Sequence, residues 1–158
     1  MTTEEQQEGT ALKVAVLARC KERLGEQLQV ILNSLQKLRD SKTSETKSSA
    51  GDKFETGRAM LQLEENNLRQ QLAAVRANEE LLDKATRQPE SDTAAIGCLV
   101  ATDRGLYLLA AGLGKVTERG RVVYSVSPAS PIGQRLVGKT VGDKFLFNDT
   151  TFTIRGLA

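Results

Sequence analysis

Leu17, Cys20, Leu24, Leu28, Ile31, Leu35 and Leu38 recur at spacings of three and four. That is the 3.5-residue repeat of a coiled-coil seam. It constrains this chain more than any other feature, because a helix predicted from Thr10 to about Asp40 must bury one narrow stripe along its whole length. Gly25 is the weak residue in it, costing about 1 kcal/mol relative to alanine. Leu12, Val14 and Val16 widen the apolar surface near the start, where contact with a C-terminal domain is expected. Asp40 to Ser49 is almost wholly polar and suits a solvated turn or a loosely held helical end. From Asp52 to about Thr86 a helical stripe resumes through Phe54, Leu61, Leu68, Leu72, Val75 and Leu82, and Pro89 closes it. Glu65 and Glu79 stand where an uninterrupted seam would take apolar residues. Two such helices bury their stripes most simply as an antiparallel hairpin. Some 30 residues of helix extend roughly 45 Å, so the hairpin is expected to outgrow the core and project.

The stretch between the two patterns, Ser48 to Gly57, carries Asp52 and Glu55 three residues apart. On a helix both lie on one face, and paired hard oxygen ligands suit Mg²⁺. The same spacing fits a capping box, in which the first side chain accepts from an exposed N–H and the second reaches back. The two readings are compatible, since a carboxylate at a helix start can still face outward.

Composition excludes several alternatives. A net charge of +2, from 22 basic and 20 acidic residues, gives no footprint for bare nucleic acid, so no independent DNA binding is expected. Histidine is absent, which removes the commonest general base. Aromatic residues make up 4%, too few for an extensive base-stacking platform. Cys20 and Cys98 form no CxxC motif and are expected as buried thiols in a reducing compartment. Met1 to Gly9 is acidic and polar, not a signal segment, and no apolar run nears the roughly 20 residues of a membrane-spanning helix. A cytoplasmic protein without membrane partners is the expectation.

After Pro89 the period changes. Strands are expected at Ile96 to Ala101 and Leu106 to Ala111, joined by a Thr102-Asp103-Arg104-Gly105 hairpin, and again at Arg121 to Val126, Lys144 to Phe147 and Thr151 to Arg155. Gly112-Leu113-Gly114-Lys115 reads as a connecting turn, since Val116 stands where a phosphate-binding loop needs Ser or Thr. Ser130 can cap a short helix that has Pro131 in its first turn and Gly138 past its end. The fold class is therefore α+β: a long antiparallel coiled-coil hairpin over residues 1–88 with its tip near 41–57, then a small antiparallel β-sheet domain with one short helix over 89–158.

Ser127-Pro128-Ala129-Ser130-Pro131-Ile132-Gly133-Gln134-Arg135-Leu136-Val137-Gly138-Lys139-Thr140-Val141-Gly142-Asp143 resembles the C-terminal signature of the GreA/GreB transcript-cleavage factors. In that signature a Ser-Pro-Ile/Leu helix leads to Gly-Lys and then Gly-Asp before a strand. Gly51-Asp52-Lys53-Phe54-Glu55 is similar to the family's Gly-Asp-x-x-Glu, and the two strings follow in the family's order. The resemblance spans most of residues 10 to 158 and implies an FKBP-like C-terminal domain that docks at the rim of the RNA polymerase secondary channel, with Ser130, Pro131, Ile132 and Gly133 among the partner-binding residues. It implies that Asp52 and Glu55 at the hairpin tip help hold a Mg²⁺ supplied in the polymerase active centre, with no cofactor bound stably. The tip would meet the nascent RNA 3′ end only indirectly, and the factor would stimulate the polymerase's own cleavage instead of being an enzyme itself. After the acidic pair the cleavage factors continue Asn-Ala-x-Tyr, whereas this chain has Thr56-Gly57-Arg58-Ala59. A non-cleaving channel regulator or inhibitor is thus a second expectation, and a structural coiled-coil adaptor a third. Catalysis as an FKBP-like prolyl isomerase is a minor fourth, because the aromatic residues such a cleft needs are expected in the sheet core.

Overall fold

The computed structural model describes residues 2–47 and 52–158, and the side chains of 2–43 and 56–158. The chain is α+β. Two long helices, α1 (Thr3–Lys47) and α2 (Asp52–Arg87), precede six strands and one short helix. The strands are β1 (Leu99–Thr102), β2 (Gly105–Leu109), β3 (Gly114–Glu118), β4 (Arg121–Val126), β5 (Lys144–Phe147) and β6 (Thr150–Leu157), with α3 (Pro131–Leu136) between β4 and β5. The chain divides into two compact units, Arg23–Ala77 and the combination of Met1–Glu22 with Asn78–Ala158, so that each long helix contributes to both.

Helix α1 is longer than its seam predicts at both ends. It begins at Thr3 because Thr2 and Glu5 form a capping box: the Thr2 N–H donates to Glu5 Oε2 (2.8 Å), and the Glu5 N–H donates to Thr2 Oγ1 (3.2 Å). At the other end the polar run, expected as a solvated turn or a loosely held helical end, is helical through Lys47. There Thr43 Oγ1 donates back to the Arg39 carbonyl, and Gln36 Nε2 donates to Asp40.

Within Arg23–Ala77 the apolar seams close on each other. Leu24, Ile31, Leu38 and Val75 are buried, and Leu28, Leu35, Leu61, Leu68 and Leu72 are half-buried. Lys42 of α1 forms an ion pair with Glu65 of α2 and also donates to Gln62 Oε1 at 3.3 Å. Along one continuous helix, 23 residues would span about 35 Å. The contact therefore requires the chain to reverse, and the two helices run antiparallel here.

In the other unit the strands form one six-stranded sheet in the order β3-β4-β2-β1-β6-β5. It is mixed, not antiparallel as the strand spacing predicts, because β4 inserts beside β2 in parallel, with Leu106 opposite Val123 and Leu109 opposite Val126. Strand β3 occupies the edge that this leaves. It lies in a stretch read as a turn running into β4, because its five residues include only Val116 as a buried apolar side chain and so show no alternating run. The two-residue turns Arg119–Gly120 (φ 52 and 72) and Asn148–Asp149 (φ 49 and 60) have the positive φ values that match hairpin twist.

Both faces of the sheet are covered. On one, α3 packs Leu136 and the half-buried Ile132 against Val100, Leu109, Phe145, Phe152 and Ile154. On the other, Leu99, Leu108, Val116 and Val123 are buried together with Leu12 and Val16 of α1, while Val14 points away at 60% exposure. Helix α1 comes so close at Gly9 that a Cβ there would sit 3.0 Å from the Cβ of Ala158. Arg19 adds an ion pair to Glu118 at 2.9 Å. Past α2, Gly97 takes φ 91 where an added Cβ would lie 2.6 Å from the Ala85 carbonyl oxygen.

Leu136→Ala removes a fully buried side chain from the α3 face. It is expected to cost about 2–5 kcal/mol, whereas Val137→Ala, at a residue 43% exposed, should stay within about 0.5 kcal/mol. Urea unfolding of the two variants against wild type measures the contrast.

Candidate functional site

Two places carry the residues that the sequence singles out. The first is the start of α2, where Asp52 is the first helical residue and Glu55 lies in the same turn. Their side chains, with those of Lys47 and Lys53, fall outside the described residues. Positions three apart on a helix share a side of it, so residues 52 and 55 stand on one side of α2.

Farther from this end stands a charged cluster, whose Glu65 interrupts the apolar stripe of α2. Glu65 accepts from Lys42 across the helix pair and from Arg69 one turn on, through Nη2 at 3.0 Å and Nε at 3.3 Å. Lys42 continues the α1 seam four residues past Leu38, so both members of the pair occupy seam positions. The available signal was the match between a lysine one step beyond the last leucine and a glutamate inside the opposing stripe. The hydrogen bonds from Lys42, and then those from Arg69, hold the Glu65 carboxyl below its usual range.

The second place is the connection from β4 to β5. Ser130 is the N-cap of α3: its Oγ accepts from the Gly133 N–H (3.1 Å) and donates to the Ser127 carbonyl (2.7 Å). Pro131 occupies the first turn, where its missing N–H is no loss. Gly133 is required by space, since an added Cβ would lie 2.0 Å from the Ser127 oxygen. Farther on, the Gly138 N–H donates to the Ala94 carbonyl (2.7 Å) and the Ala94 N–H to the Lys139 carbonyl (2.8 Å). Gly142 (φ 96) donates to Ile154, and Asp143 Oδ2 accepts from the Thr140 N–H (2.8 Å) and hydroxyl (3.1 Å). The backbone N–H of Thr140, ahead of its hydroxyl, holds the Asp143 carboxyl low. Each of these residues has a local structural task. Pro131 remains exposed, as do Gln134, Val137 and Val141, giving this connection an outward side.

The aromatic residues of the domain join across the sheet. Phe145 stacks on Phe152 at 5.1 Å between ring centroids, Tyr107 meets Phe152 edge-on at 6.2 Å, and Tyr124 stacks on Tyr107 at 5.7 Å. Phe145 and Phe152 belong to the core, as expected, while Tyr124 is 40% exposed. Cys20 and Cys98 are both buried and form no disulfide, and burial pushes the Cys98 thiol up, which disfavours the reactive thiolate. No helix among the described residues is long and apolar enough to cross a membrane. Among known proteins, no family model matches the chain and no curated protein is significantly similar to it.

A carboxylate whose pKa is lower in the folded than in the unfolded chain contributes stability above the unfolded value, and that contribution is lost as pH falls through the folded one. Glu65 starts from about 4.5 and is lowered. The difference in melting temperature between wild type and Glu65→Gln is therefore expected to be largest near neutral pH and to shrink as pH drops below about 4.5; melts followed by circular dichroism test this. In the second place, Gly133→Ala should cost about 1–3 kcal/mol by overpacking, and Ser130→Ala about 1 kcal/mol by loss of the cap, both read by urea unfolding.

Proposed function

We propose that this protein is a Gre-like factor that enters the secondary channel of RNA polymerase and stimulates Mg²⁺-dependent cleavage of backtracked RNA, rescuing stalled elongation. The observation that carries the reading is the setting of two sequence strings: Gly51-Asp52-Lys53-Phe54-Glu55 at the start of the second long helix, and Ser127 to Asp143 through α3 into β5. The finer fold reading, a coiled-coil hairpin ahead of an FKBP-like domain, belongs to the same proposal.

On this reading the C-terminal domain docks through the connection around Ser130, Pro131, Ile132 and Gly133, and the start of α2 reaches the polymerase active centre. Asp52 and Glu55 are two hard oxygen donors, too few to complete a Mg²⁺ shell by themselves. Donors of that kind fit a metal whose remaining ligands come from the polymerase, the RNA and water. Asp52 and Glu55 would help hold the second of two metals, the first being held by the polymerase's own carboxylates, and such a pair would supply charge stabilisation to the attacking and leaving oxygens of an in-line displacement. The carboxylates themselves orient the attacking water. Chemistry of this kind needs no histidine, and none is present.

A second reading, a channel regulator without cleavage, is favoured by one feature. Thr56 and Gly57 follow the acidic pair where cleavage factors have Asn and Ala, and the tyrosine two residues farther on is replaced by Ala59.

The deciding experiment is RNA cleavage in a halted, backtracked elongation complex built with the source organism's polymerase, over a range of Mg²⁺ concentrations. Wild type is expected to stimulate cleavage, and Asp52→Asn/Glu55→Gln, which removes both charged donors, to reduce that stimulation by at least about 10- to 100-fold, the loss that removing even an outer-shell partner of a metal ligand causes. Without stimulation by wild type, competition against a known cleavage factor separates the remaining readings: displacement supports the regulator, and no displacement sinks the polymerase partner.

A further inference from the structure

Resting on the reading just proposed, we infer that Lys42 and Glu65 are positioning residues: their charged layer in the seam sets the axial register of α2 against α1, and with it the station of Asp52 and Glu55. All four residues lie within Arg23–Ala77.

Between Leu24 and Leu38 of α1 and between Leu61 and Val75 of α2, the other seam positions carry leucine, isoleucine or valine, and Arg58 lies one step before Leu61. The register in which Lys42 faces Glu65 brings Leu35 opposite Leu72 and Ile31 opposite Val75. Aliphatic layers discriminate weakly against a slip of one heptad, because Ile31 would simply exchange Val75 for Leu68. The charged layer discriminates strongly. A slip in one direction sets Lys42 against Arg58 and Glu65 against Leu35; a slip in the other sets Lys42 against Leu72. Either takes Lys42 away from Glu65 and sets at least one of the two charges against a like charge or a leucine, while Glu65 keeps only Arg69 of its own helix. A single polar seam residue is known to specify coiled-coil register at some cost in stability.

The surroundings hold this pair in place. Glu65 is 21% exposed and Lys42 34%, so both side chains are partly covered where the two helices meet. Arg69 takes the second Glu65 oxygen and Gln62 shares the Lys42 ammonium, so neither side chain can swing out without giving up a further partner. A slip by one helical turn moves α2 by about 5 Å along α1, and a heptad slip by about 10 Å. Catalytic groups misplaced by about 1 Å already lose about 100-fold in rate.

The test pairs a distance with a rate, using the full chain. Spin labels at Leu32→Cys and Ala74→Cys, both exposed and on opposite helices, report the register; the buried Cys20 and Cys98 are shielded from labelling. Lys42→Leu/Glu65→Leu is expected to melt at a higher temperature yet to broaden or split the label distance by about 5–10 Å, and to slow RNA cleavage at saturating factor by at least about tenfold. Lys42→Arg, which keeps the pair, should match wild type in both. A merely stabilising role predicts the reverse, with the more stable variant at least as active. Should the leucine variant aggregate, Lys42→Met/Glu65→Gln removes the charges in its place. A single native distance in the uncharged variant overturns the register lock. A shifted distance with unchanged cleavage overturns the positioning role. Absence of cleavage with wild type refutes the functional reading instead, while the distances still decide the register.

Discussion

A pair of helices has no third surface with which to cover its apolar stripe, so everything in Arg23–Ala77 depends on the chain reversing and laying one seam on the other. The burial of Ile31 and Val75 to 6% exposure each follows from that pairing. A seam made only of aliphatic side chains would be sticky but poorly indexed, because dispersion and hydrophobic burial are nearly indifferent to which leucine meets which. The Lys42–Glu65 layer adds direction to the attraction. It gives up some burial and supplies an interaction that only one alignment satisfies.

The sheet unit solves a different problem with the same helices. Six short strands cannot close on themselves, and both faces need covering. Helix α3, fewer than two turns long, covers one face through Leu136 and Ile132, and the first turns of α1 cover the other through Leu12 and Val16. The motif residues around α3 are held by this arrangement: Ser130 satisfies an orphan N–H, Gly133 admits the Ser127 carbonyl, and Gly138 and Lys139 tie the loop to Ala94. A docking surface built on such a connection would be rigid, because its backbone groups are engaged before any partner arrives.

Much of the fold was legible because period is a local property. The α1 seam, the Ser130 cap, the Thr102–Gly105 hairpin and the buried cysteines could each be read from spacing and residue type alone. The helix ends could not. The Thr2–Glu5 box sits ahead of the apolar pattern, and the polar residues from Asp40 to Lys47 give no periodic signal even though they are helical. Strand β3 escaped for a related reason, having one buried residue on an exposed edge.

By itself, the sequence determined that two amphipathic helices precede a small β domain, and that acidic residues stand at the start of the second helix. Repeat spacing and turn chemistry act between near neighbours in the chain, so they are written in it. Only tertiary structure decided that β4 lies parallel beside β2, that α1 serves as a lid for the sheet as well as half of a seam, and that Lys42 meets Glu65. Those outcomes depend on contacts between residues distant in sequence, where the gain comes from closing a shared surface or neutralising a half-buried charge, and no local pattern records which distant partner will do so.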